Sequence, residues 1–359
     1  MTLSSSSIVF VINTLKVGGA AKMIKYVANL STEWFGNVHL ITLYDDTHDT
    51  QLDSNILQHS LNINRHSLFW RWKAICQIRD RIKKIKPTIV CTFVSDVCVL
   101  SRIATLGINT KVVSAERGDP FTLGKLWGFL VSWTYRLSDY CFFQLEQARD
   151  YFGSTVIQKS FVIPNVFEPQ YNYVNTEIRN KTIVSAGRFV EEKRYDVLIN
   201  AYSIVRTKYP EYKLIIYGDG PYREKYEQLV MSLGISDYVF FPGYVKNVSQ
   251  SIVNDGIFVL SSRYEGIPNS LIEALSVGIP CVATDCTPGG PAFLTMNGKN
   301  GILIPVDDVE AMAKAIEQII ASPQLQEELS ARGPLILSYL SPDRVSKMWK
   351  NAFLTIISK

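Results

Sequence analysis

The feature that most constrains the fold is a nearly unbroken apolar segment close to the start of the chain, Ser7-Ile-Val-Phe-Val-Ile-Asn13. Such a run is typical of a strand that is buried on both faces, as in parallel sheets covered by helices. A loop containing glycines, residues 14–19, follows directly, and the apolar residues after it recur at helical spacing. A strand, a loop and a helix in this order predict an α/β unit.

The same alternation runs through both halves of the chain and predicts two parallel α/β sheets of the Rossmann-like type. In the first half the predicted strands are residues 7–13, 38–43, 88–93, 111–115 and 140–143. In the second half they are residues 182–186, 213–217, 238–241, 257–260 and 280–283. In open α/β sheets ligands bind at the carboxyl ends of the strands, so functional residues are expected in the loops that follow them.

The length of 359 residues exceeds the size at which a single hydrophobic core keeps growing, and this favours two domains. A turn punctuated by prolines at residues 161–169, followed by a polar stretch at 171–181, predicts the linker. We therefore predict an N-terminal domain over residues 1–168 and a C-terminal domain over 169–340. A final helix over 341–359 is expected to pack back on the N-terminal domain.

Composition excludes several classes of protein. A hydrophobic content of 47% excludes a disordered chain, and no apolar run of about 18 residues offers a membrane span. The first residues lack the charged start and apolar core of a signal peptide, so the expected location is the cytoplasm. The cysteines form no Cys-x-x-Cys pair, have no nearby histidine set and are expected to be reduced core thiols. They are Cys76, Cys91, Cys98, Cys141, Cys281 and Cys286.

The most informative stretch for function is Ser262-Arg-Tyr-Glu-Gly-Ile-Pro-Asn-Ser-Leu-Ile-Glu-Ala-Leu275. Its loop carboxylate, Glu265, precedes a predicted helix start, and Glu273 lies one turn inside that helix. A helix N-terminus binds anions such as a diphosphate, and carboxylates accept hydrogen bonds from sugar hydroxyls. The stretch therefore indicates a sugar-nucleotide site. The alternative is a simple capping box, Ser270-x-x-Glu273, which would start any helix.

Further motifs in the second half follow one another in a fixed order over about 120 residues, an arrangement that is hard to obtain by chance. They are Gly187-Arg-Phe-Val-Glu-Glu-Lys193, Tyr217-Gly-Asp-Gly-Pro221, Phe241-Pro-Gly-Tyr244, the stretch from Glu265 to Glu273, Val277-Gly-Ile-Pro-Cys-Val-Ala-Thr-Asp285, Gly289-Gly290 and Asn300-Gly-Ile-Leu-Ile-Pro305. In this order they resemble the retaining glycosyltransferases of the GT-B fold. Within that fold they are most similar to the large bacterial family that builds lipopolysaccharide, capsule and exopolysaccharide.

The resemblance implies a GT-B architecture, in which two Rossmann-like domains face each other across a cleft, with the acceptor on the N-terminal and the nucleotide-sugar donor on the C-terminal domain. It implies that Arg188 and Lys193 hold the nucleotide diphosphate, and that Glu265 binds hydroxyls of the donor sugar. Glu273 would bind the ribose hydroxyls. The backbone N–H groups that would meet the phosphates are those near Asn269, Ser270 and Leu271. Without the resemblance, residues 191–194 read as a solvated charged turn.

Other positions of the expected donor site follow from the same resemblance. Glycines would let the backbone approach the nucleotide, although a tight turn explains them equally well. Main-chain contacts to the base are expected after the short strand near residue 241. The positions are Gly187, Gly218, Asp219, Gly220, Tyr244 and Val245.

The resemblance also implies retention of the anomeric configuration without an enzyme nucleophile. No metal or other cofactor is expected, because the sequence contains no Asp-x-Asp pair to anchor a divalent ion, and Arg188 and Lys193 stand in the place of one.

The acceptor side is less well specified by the sequence. Gly18 and Gly19 follow the first strand and suit either a close backbone approach to a ligand or a structural turn. Many relatives place a histidine at the end of a later strand, where this chain has Glu116 and Arg117. These two residues and Asp96 are the candidates for an acceptor-side group.

Charge is unevenly distributed between the two halves. Residues 1–165 contain 18 Lys or Arg and 12 Asp or Glu, a balance of +6, whereas the remainder has 19 against 21, a balance of −2. Two segments, residues 65–86 and 121–133, combine basic and aromatic side chains that could dock on an anionic lipid leaflet. The alternative is ordinary helices whose apolar faces belong to the core. Nucleic acid is a poor partner, because net charge is only +4 and no binding motif is present.

The predicted function is transfer of a hexose or N-acetylhexosamine from a nucleotide diphosphate sugar, most simply a UDP-sugar, to a lipid-linked saccharide on a polyprenyl diphosphate. The predicted location is the inner face of the cell membrane, where such a peripheral enzyme would serve O-antigen, capsule or exopolysaccharide biosynthesis. A sugar-nucleotide epimerase or hydrolase on the same fold is one alternative. An inactive membrane-docked scaffold is the other.

Overall fold

The computed structural model describes residues 2–16, 19–44, 51–168 and 179–358. The chain divides into two compact units, Met1–Val166 with Pro342–Lys359, and Phe167–Ser341. The sequence places these divisions after residues 168 and 340. Residues 169–178 of the predicted linker lie outside the described residues.

The first unit is built on a sheet of seven parallel strands in the order β3-β2-β1-β4-β5-β6-β7. The strands are β1 (Ser7–Ile12), β2 (Asn37–Thr42), β3 (Ile56–Ser60), β4 (Ile89–Phe93), β5 (Lys111–Ala115), β6 (Tyr140–Phe143) and β7 (Ser160–Val162). The helices between them are α1 (Gly19–Ser31), α2 (Trp70–Ile85), α3 (Ser95–Ala104), α4 (Lys125–Leu137), α5 (Glu146–Asp150) and α6 (Ser154–Ile157). Single turns of 3-10 helix lie at Leu3–Ser5 and Pro120–Thr122.

Both faces of this sheet are covered, which explains the unbroken apolar sequence of β1. Successive side chains of a strand point to opposite faces. Ile8 and Phe10 pack with residues of α1, whereas Val9 and Val11 pack with residues of α2 and α3. On the second of these faces α3 packs between α2 and α4.

The second unit is built on six parallel strands in the order β10-β9-β8-β11-β12-β13. The strands are β8 (Thr182–Ala186), β9 (Lys213–Tyr217), β10 (Val239–Gly243), β11 (Ile257–Leu260), β12 (Cys281–Thr284) and β13 (Ile302–Ile304). The helices are α7 (Tyr195–Lys208), α8 (Arg223–Ser232), α9 (Val248–Ile252), α10 (Asn269–Ser276), α11 (Gly290–Leu294), α12 (Val309–Ala321), α13 (Pro323–Arg332) and α14 (Leu337–Leu340). Turns of 3-10 helix lie at Glu191–Lys193, Ser236–Tyr238 and Gly333–Ile336.

The last helix, α15 (Pro342–Ser358), belongs to the first unit although it follows the second along the chain. Its fully buried face includes Trp349 and Phe353, which join the core formed by β1 and α1. The Trp349 ring lies 4.5 Å from that of Phe142 and stacks on Phe93 at 6.3 Å between centroids. A helix distant in sequence thereby completes the first core.

The strands predicted from the sequence agree with the structure to within about two residues at each end. The prediction omitted β3, β7 and β13, which are short or lie at the edge of a sheet. Among the described residues, no helix has both the length and the apolar character that a membrane span requires.

Replacing Trp349 by alanine tests the role of α15 in the first core. Removing a fully buried aromatic side chain is expected to lower the free energy of unfolding by about 3–5 kcal/mol. Urea unfolding followed by circular dichroism measures the change. The control is Leu354→Ala on the same helix, where the side chain is 45% exposed and little change is expected. Equal stability of the two variants would contradict the packing described for α15.

Candidate functional site

The second sheet brings together two loops that are distant in sequence. Strands β8 and β11 are neighbours, while the strands that follow each of them, β9 and β12, lie on opposite sides of this pair. The strand order therefore reverses between β8 and β11, and such a switch point is where open α/β sheets bind ligands. The loop after β8 contains residues 187–194, and the loop after β11 contains residues 261–268.

At this switch point the ammonium group of Lys193 contacts the carboxylate of Glu265. The hydroxyl of Ser262 donates a hydrogen bond of 2.8 Å to the same carboxylate oxygen, Oε1. The two charged side chains are mostly buried, with exposed fractions of 17% for Lys193 and 15% for Glu265. Two residues that the sequence assigned to one site are thus in direct contact across 72 positions of the chain.

Hydrogen bonds to backbone carbonyls also hold the two loops in place. The Ser261 hydroxyl donates to the carbonyl of Lys193 at 2.7 Å, and the N–H of Arg263 donates to the carbonyl of Glu192 at 2.8 Å. The N–H of Glu265 donates to the carbonyl of Thr287 at 2.9 Å. The relative position of Lys193 and Glu265 is therefore fixed by the main chain as well as by their own contact.

Helix α10 begins directly after this loop. Its N-cap is Pro268, which provides no side-chain cap, so Ser270 is the second residue of the helix. The capping-box alternative for Ser270 and Glu273 is therefore wrong. The first N–H groups of a helix lack intrahelical acceptors and carry the positive end of its dipole. Here they belong to Asn269, Ser270 and Leu271, and Glu273 lies one turn further on.

Arg188 differs from Lys193 in its surroundings. Its side chain is exposed, and among the described residues it takes part in no ion pair or side-chain hydrogen bond. It lies in the same loop after β8 as Lys193. The loop thus supplies one cation that is held by a carboxylate and one that is accessible to a ligand.

The glycines of this region are required by close packing of the backbone. A Cβ atom on Gly218, whose φ is +138°, would lie 1.9 Å from the carbonyl oxygen of Gly187. A Cβ atom on Gly220 would lie 2.6 Å from the carbonyl oxygen of Phe189. The loop after β9 therefore packs directly on the loop after β8. This packing explains the glycines of the Gly-Asp-Gly motif without a ligand.

A further close approach was not assigned a role from the sequence. A Cβ atom on Gly290, at the start of α11, would lie 1.4 Å from the carbonyl oxygen of Gly266. The backbone next to Glu265 therefore packs against α11, and only glycine fits at position 290. In the sequence, the Gly289-Gly290 pair is the only signal of this close packing, and it does not show which segment packs against it.

The remaining donor-side candidates lie on the β9 side of the sheet. Asp219 is exposed and accepts a hydrogen bond of 2.7 Å from the N–H of Gly220. Tyr244 is 78% exposed and Val245 is half-buried. The N–H of Gly218 donates to the carbonyl of Gly243 at 2.8 Å, so the loops that carry these residues are adjacent.

The acceptor-side candidates are spread over the first unit. Gly18 lies outside the described residues, and Gly19 is exposed at the start of α1. No heavy atom lies within 4 Å of a Cβ atom built on Gly19, so packing does not require glycine there. Asp96 is half-buried in the first turn of α3, and its Oδ1 accepts a hydrogen bond from the N–H of Val97. Strand order also reverses in this sheet, between β1 and β4, and Gly19 and Asp96 lie at the starts of the helices that follow these strands, α1 and α3.

Glu116, at the end of β5, is buried and fully hydrogen-bonded within the first unit. Its Oε2 accepts from the hydroxyls of Ser95 at 2.8 Å and Tyr135 at 2.7 Å. Its Oε1 accepts from the N–H groups of Arg117 and Gly118 at 2.9 and 2.8 Å. Burial, reinforced by the charge of Glu116, raises the pKa of Tyr135. This geometry favours a structural role for Glu116.

Arg117 is also buried, and its guanidinium lies 5.4 Å from the ring centres of Phe93 and Trp349. It donates a hydrogen bond of 3.2 Å to the carbonyl of Ile163. Burial lowers its pKa to about 10. Its contacts therefore connect the end of β5 to the core that α15 completes.

The cysteines have the surroundings of core residues. All six are free thiols, and all except the half-buried Cys76 are buried. Burial raises the pKa of Cys98 to about 12, so this thiol stays protonated at neutral pH. Within the described ranges, no three His, Cys, Asp or Glu side chains are grouped so as to hold a metal ion.

Comparison with known proteins assigns the family. Residues 174–335, which include the whole switch-point site, match the family model for glycosyl transferases group 1. The chain contains a group 1 glycosyl transferase domain. The group 1 glycosyl transferase assignment that the motifs suggested is therefore confirmed for residues 174–335, and the activity class is glycosyl transfer.

One similar relative is an α-1,4-N-acetyl-D-galactosaminyltransferase of Campylobacter jejuni, whose name specifies a saccharide on PP-undecaprenol. It is 25% identical over 328 residues, which are 89% of this chain and 90% of that protein. Two solved structures are similar over almost their full length. A lipopolysaccharide outer core galactosyltransferase, WaaB, has a TM-score of 0.81 at 21% identity, covering 98% of this chain and 99% of that one.

The other structure is HepE of Anabaena in complex with UDP and glucose, with a TM-score of 0.79 at 16% identity, covering 99% of this chain and 100% of that one. At these identities the likeness establishes the fold. The fold class is that of the GT-B glycosyltransferases, as the motifs predicted.

Replacing Glu116 by glutamine tests its structural role. An amide cannot accept all the hydrogen bonds that the carboxylate receives, so the free energy of unfolding should fall by about 1–3 kcal/mol. Chemical denaturation measures the change. The matched control is Asp96→Asn, which affects one local hydrogen bond and should cost less. A Glu116→Gln protein of unchanged stability that had lost its activity would contradict the structural role.

Proposed function

We propose that the protein is a retaining, metal-independent hexosyltransferase that moves a hexose or N-acetylhexosamine from a UDP-sugar to a lipid-linked saccharide. The observation that carries this proposal is the contact between Lys193 and Glu265 at the switch point of the second sheet, beside the N-terminus of α10. A cation, a carboxylate and free helix N–H groups at one edge match a ligand that combines a diphosphate with a sugar.

Each group of the donor has a suitable partner at this edge. The first N–H groups of α10 suit the phosphates, because they combine unpaired donors with the positive end of the helix dipole. Glu265 suits the hydroxyls of the donor sugar, and Glu273, one turn inside the helix, suits those of the ribose. Arg188 is exposed in the same loop as Lys193. Its planar guanidinium group carries several N–H donors and can donate to oxygens of the diphosphate.

Lys193 can hold Glu265 and a phosphate at the same time. An ammonium group has three N–H donors, and the contact with Glu265 uses only part of that capacity. In this arrangement Lys193 positions the carboxylate while its charge faces the oxygen that becomes negative as the nucleotide departs. A donor fixed at that oxygen stabilises the transition state more than the ground state.

The reaction then needs no enzyme nucleophile. The bond between the anomeric carbon and the β-phosphate oxygen breaks, and its electron pair stays on that oxygen. The acceptor hydroxyl forms a bond to the anomeric carbon on the same face, and its proton passes to the departing phosphate oxygen. Arg188 and Lys193 supply the positive charge that a divalent ion would otherwise provide, so the proposal includes no metal.

The acceptor and the pathway are inferred from the relatives. The names of the Campylobacter protein and of WaaB refer to an undecaprenyl diphosphate saccharide and to lipopolysaccharide. Both suggest an acceptor with a polyprenyl diphosphate or lipid anchor. We infer a role in O-antigen, capsule or exopolysaccharide biosynthesis at the inner face of the cell membrane.

The first experiment measures binding and slow hydrolysis of UDP- and GDP-sugars by the purified protein, with EDTA present. We expect one UDP-hexose to bind selectively in the wild type and to bind weakly in Glu273→Ala. Lys193→Ala should lower turnover about a hundredfold to a thousandfold, because a positioned charge contributes about 3–4 kcal/mol in the transition state. The matched control is Lys208→Ala, which removes an exposed lysine of the same unit.

The outcomes distinguish the competing functions. Turnover of Lys193→Ala within a few fold of the wild type would refute its role. Conversion of the donor without any acceptor, at a rate that an acceptor does not increase, would favour an epimerase or hydrolase. No binding of any sugar nucleotide would favour a scaffold, and a requirement for a divalent ion would refute metal independence.

Membrane docking is part of the same proposal, and the outer face of α4 supports it. This helix buries Gly128, Val131, Thr134 and Tyr135, so its apolar outer residues are not needed for the core. No acidic residue occurs between positions 121 and 138. The exposed large side chains of α4 are Leu126, Phe129, Leu130, Trp133 and Leu137.

The start of α2 adds to this surface, because α2 and α4 flank α3 in one layer of the first unit. Leu68 and Phe69, directly before α2, and Trp72 in its first turn are exposed, with Arg71 and Lys73 beside them. Apolar and aromatic side chains together with basic residues suit an anionic lipid leaflet. We therefore expect the layer of α2 and α4 to contact the membrane.

Flotation with vesicles that contain phosphatidylglycerol tests this contact. The double variant Phe129→Ser, Trp133→Ser should bind vesicles several-fold more weakly, because it loses apolar area from the inserted face. Charge reversal of Lys83, Lys84 and Lys86 should weaken binding mainly at low salt. The control is Leu354→Ser, an exposed apolar residue of α15. Unchanged binding in all variants would overturn the docking proposal.

A further inference from the structure

Three loops at the carboxyl edge of the second sheet are tied together by an ion-pair cluster that we call the loop clamp, made of Arg194, Arg263 and Asp307. The guanidinium of Arg194 contacts one carboxylate oxygen of Asp307, Oδ1. Nε and Nη2 of Arg263 donate to the other oxygen, Oδ2, at 3.2 and 3.0 Å. Asp307 is therefore shared by arginines from the loops after β8 and after β11.

The backbone at both ends of the Arg194–Asp307 pair is unusual. Arg194 has a φ of +48° and Asp307 a φ of +62°, the left-handed region that residues other than glycine seldom occupy. Such conformations persist only where the surroundings enforce them, and they occur preferentially at functional sites. Here the two residues with this backbone conformation, Arg194 and Asp307, are also paired with each other in the clamp.

A second contact orients Arg194. Its Nε and Nη2 donate to the two carboxylate oxygens of Asp196 at 3.0 and 2.9 Å, while Nη1 faces Asp307. This is the two-pronged geometry that makes an arginine pair specific. The Arg194 side chain is only 16% exposed. Isolated surface ion pairs contribute little, but a partly buried network with bidentate geometry is the recognised exception.

The clamp flanks both members of the candidate site. Arg194 is the residue directly after Lys193, and Arg263 precedes Glu265 by two positions. The third loop, which contains Asp307, follows β13 and leads into α12. Asp307 itself contacts neither Lys193 nor Glu265 in any described hydrogen bond or ion pair.

We propose that Asp307 is a positioning residue for donor binding, which acts through Arg194 and Arg263 to hold Lys193 and Glu265 at their working separation. The proposal rests on the proposed function for the roles of these two residues toward the donor. When a diphosphate approaches, the remaining N–H donors of Lys193 can bind it while the clamp keeps both loop backbones in place. Without the clamp the two loops would have to be ordered by the ligand, at a cost in affinity.

The test uses Asp307→Asn in the full chain. Asparagine tolerates the left-handed conformation and keeps the shape of the side chain, so the substitution removes mainly the charge. The matched control is Glu317→Gln, which breaks the Lys208–Glu317 ion pair of 2.7 Å elsewhere in the second unit. Should Asp307→Asn fail to fold, Arg194→Gly replaces it, because glycine adopts a positive φ freely and also lacks the ion pairs.

The first readout is UDP affinity by calorimetry in a double-mutant cycle of Asp307→Asn and Lys193→Ala. We expect Asp307→Asn to weaken UDP binding about fivefold in the wild-type background and less than about twofold when Lys193 is already absent. A general structural defect would weaken binding equally in both backgrounds. Equal effects would therefore overturn the proposal.

The second readout is hydrogen–deuterium exchange of the ligand-free proteins, which does not depend on the proposed function. Asp307→Asn should increase exchange in residues 191–195 and 261–266, whereas Glu317→Gln should not. Unchanged exchange in both loops would overturn the clamp. If the wild type binds no UDP, the donor assignment fails, and the exchange measurement alone decides whether Asp307 holds the loops.

Discussion

The candidate site depends on one topological constraint, the reversal of strand order between β8 and β11 in the second sheet. These strands are neighbours, and the strands that follow them, β9 and β12, lie on opposite sides of the pair. The loops after β8 and β11 therefore meet at one edge of the sheet. Lys193 and Glu265 meet there, and each compensates the charge of the other in a mostly buried position. Neither side chain would be stable in that position alone, since an unpaired buried charge is expensive.

Several kinds of interaction hold the loops of the site in place. Backbone packing at Gly218 holds the loop after β9 against the loop after β8, and packing at Gly290 holds α11 against the loop after β11. Hydrogen bonds from the Ser261 hydroxyl and the Arg263 N–H join the loops after β8 and β11. The charged clamp of Arg194, Arg263 and Asp307 adds a connection to a third loop. The first N–H groups of α10 have no acceptor within the helix. A rigid frame with free donors at one end suits a ligand whose negative charge grows during the reaction.

Much of the fold could be predicted from the sequence, because strands buried on both faces leave long apolar runs such as that of β1. β3 was missed, since its sequence Ile-Leu-Gln-His-Ser has little apolar character and the strand lies at the edge of the sheet. A shared site for Glu265 and Lys193 was implied by the family resemblance that the motifs carry. The clamp could not be predicted, because Arg194 and Asp307 are 113 positions apart and neither suggests a left-handed backbone. The hydrogen bonds of Glu116 with side chains could likewise not be predicted, because the two hydroxyls that donate to it, those of Ser95 and Tyr135, come from α3 and α4.

The placement of α15 has a consequence for synthesis of the chain. A ribosome makes the first unit's strands early, but Trp349 and Phe353, which cover Phe10 and Phe142, emerge only after the entire second unit. During this interval the aromatic surface of the first core is uncovered, whereas all residues of the second unit are already available and this unit can fold. The second unit would then complete its fold before the first, and premature termination within α15 would leave a complete second unit attached to an incompletely folded first unit.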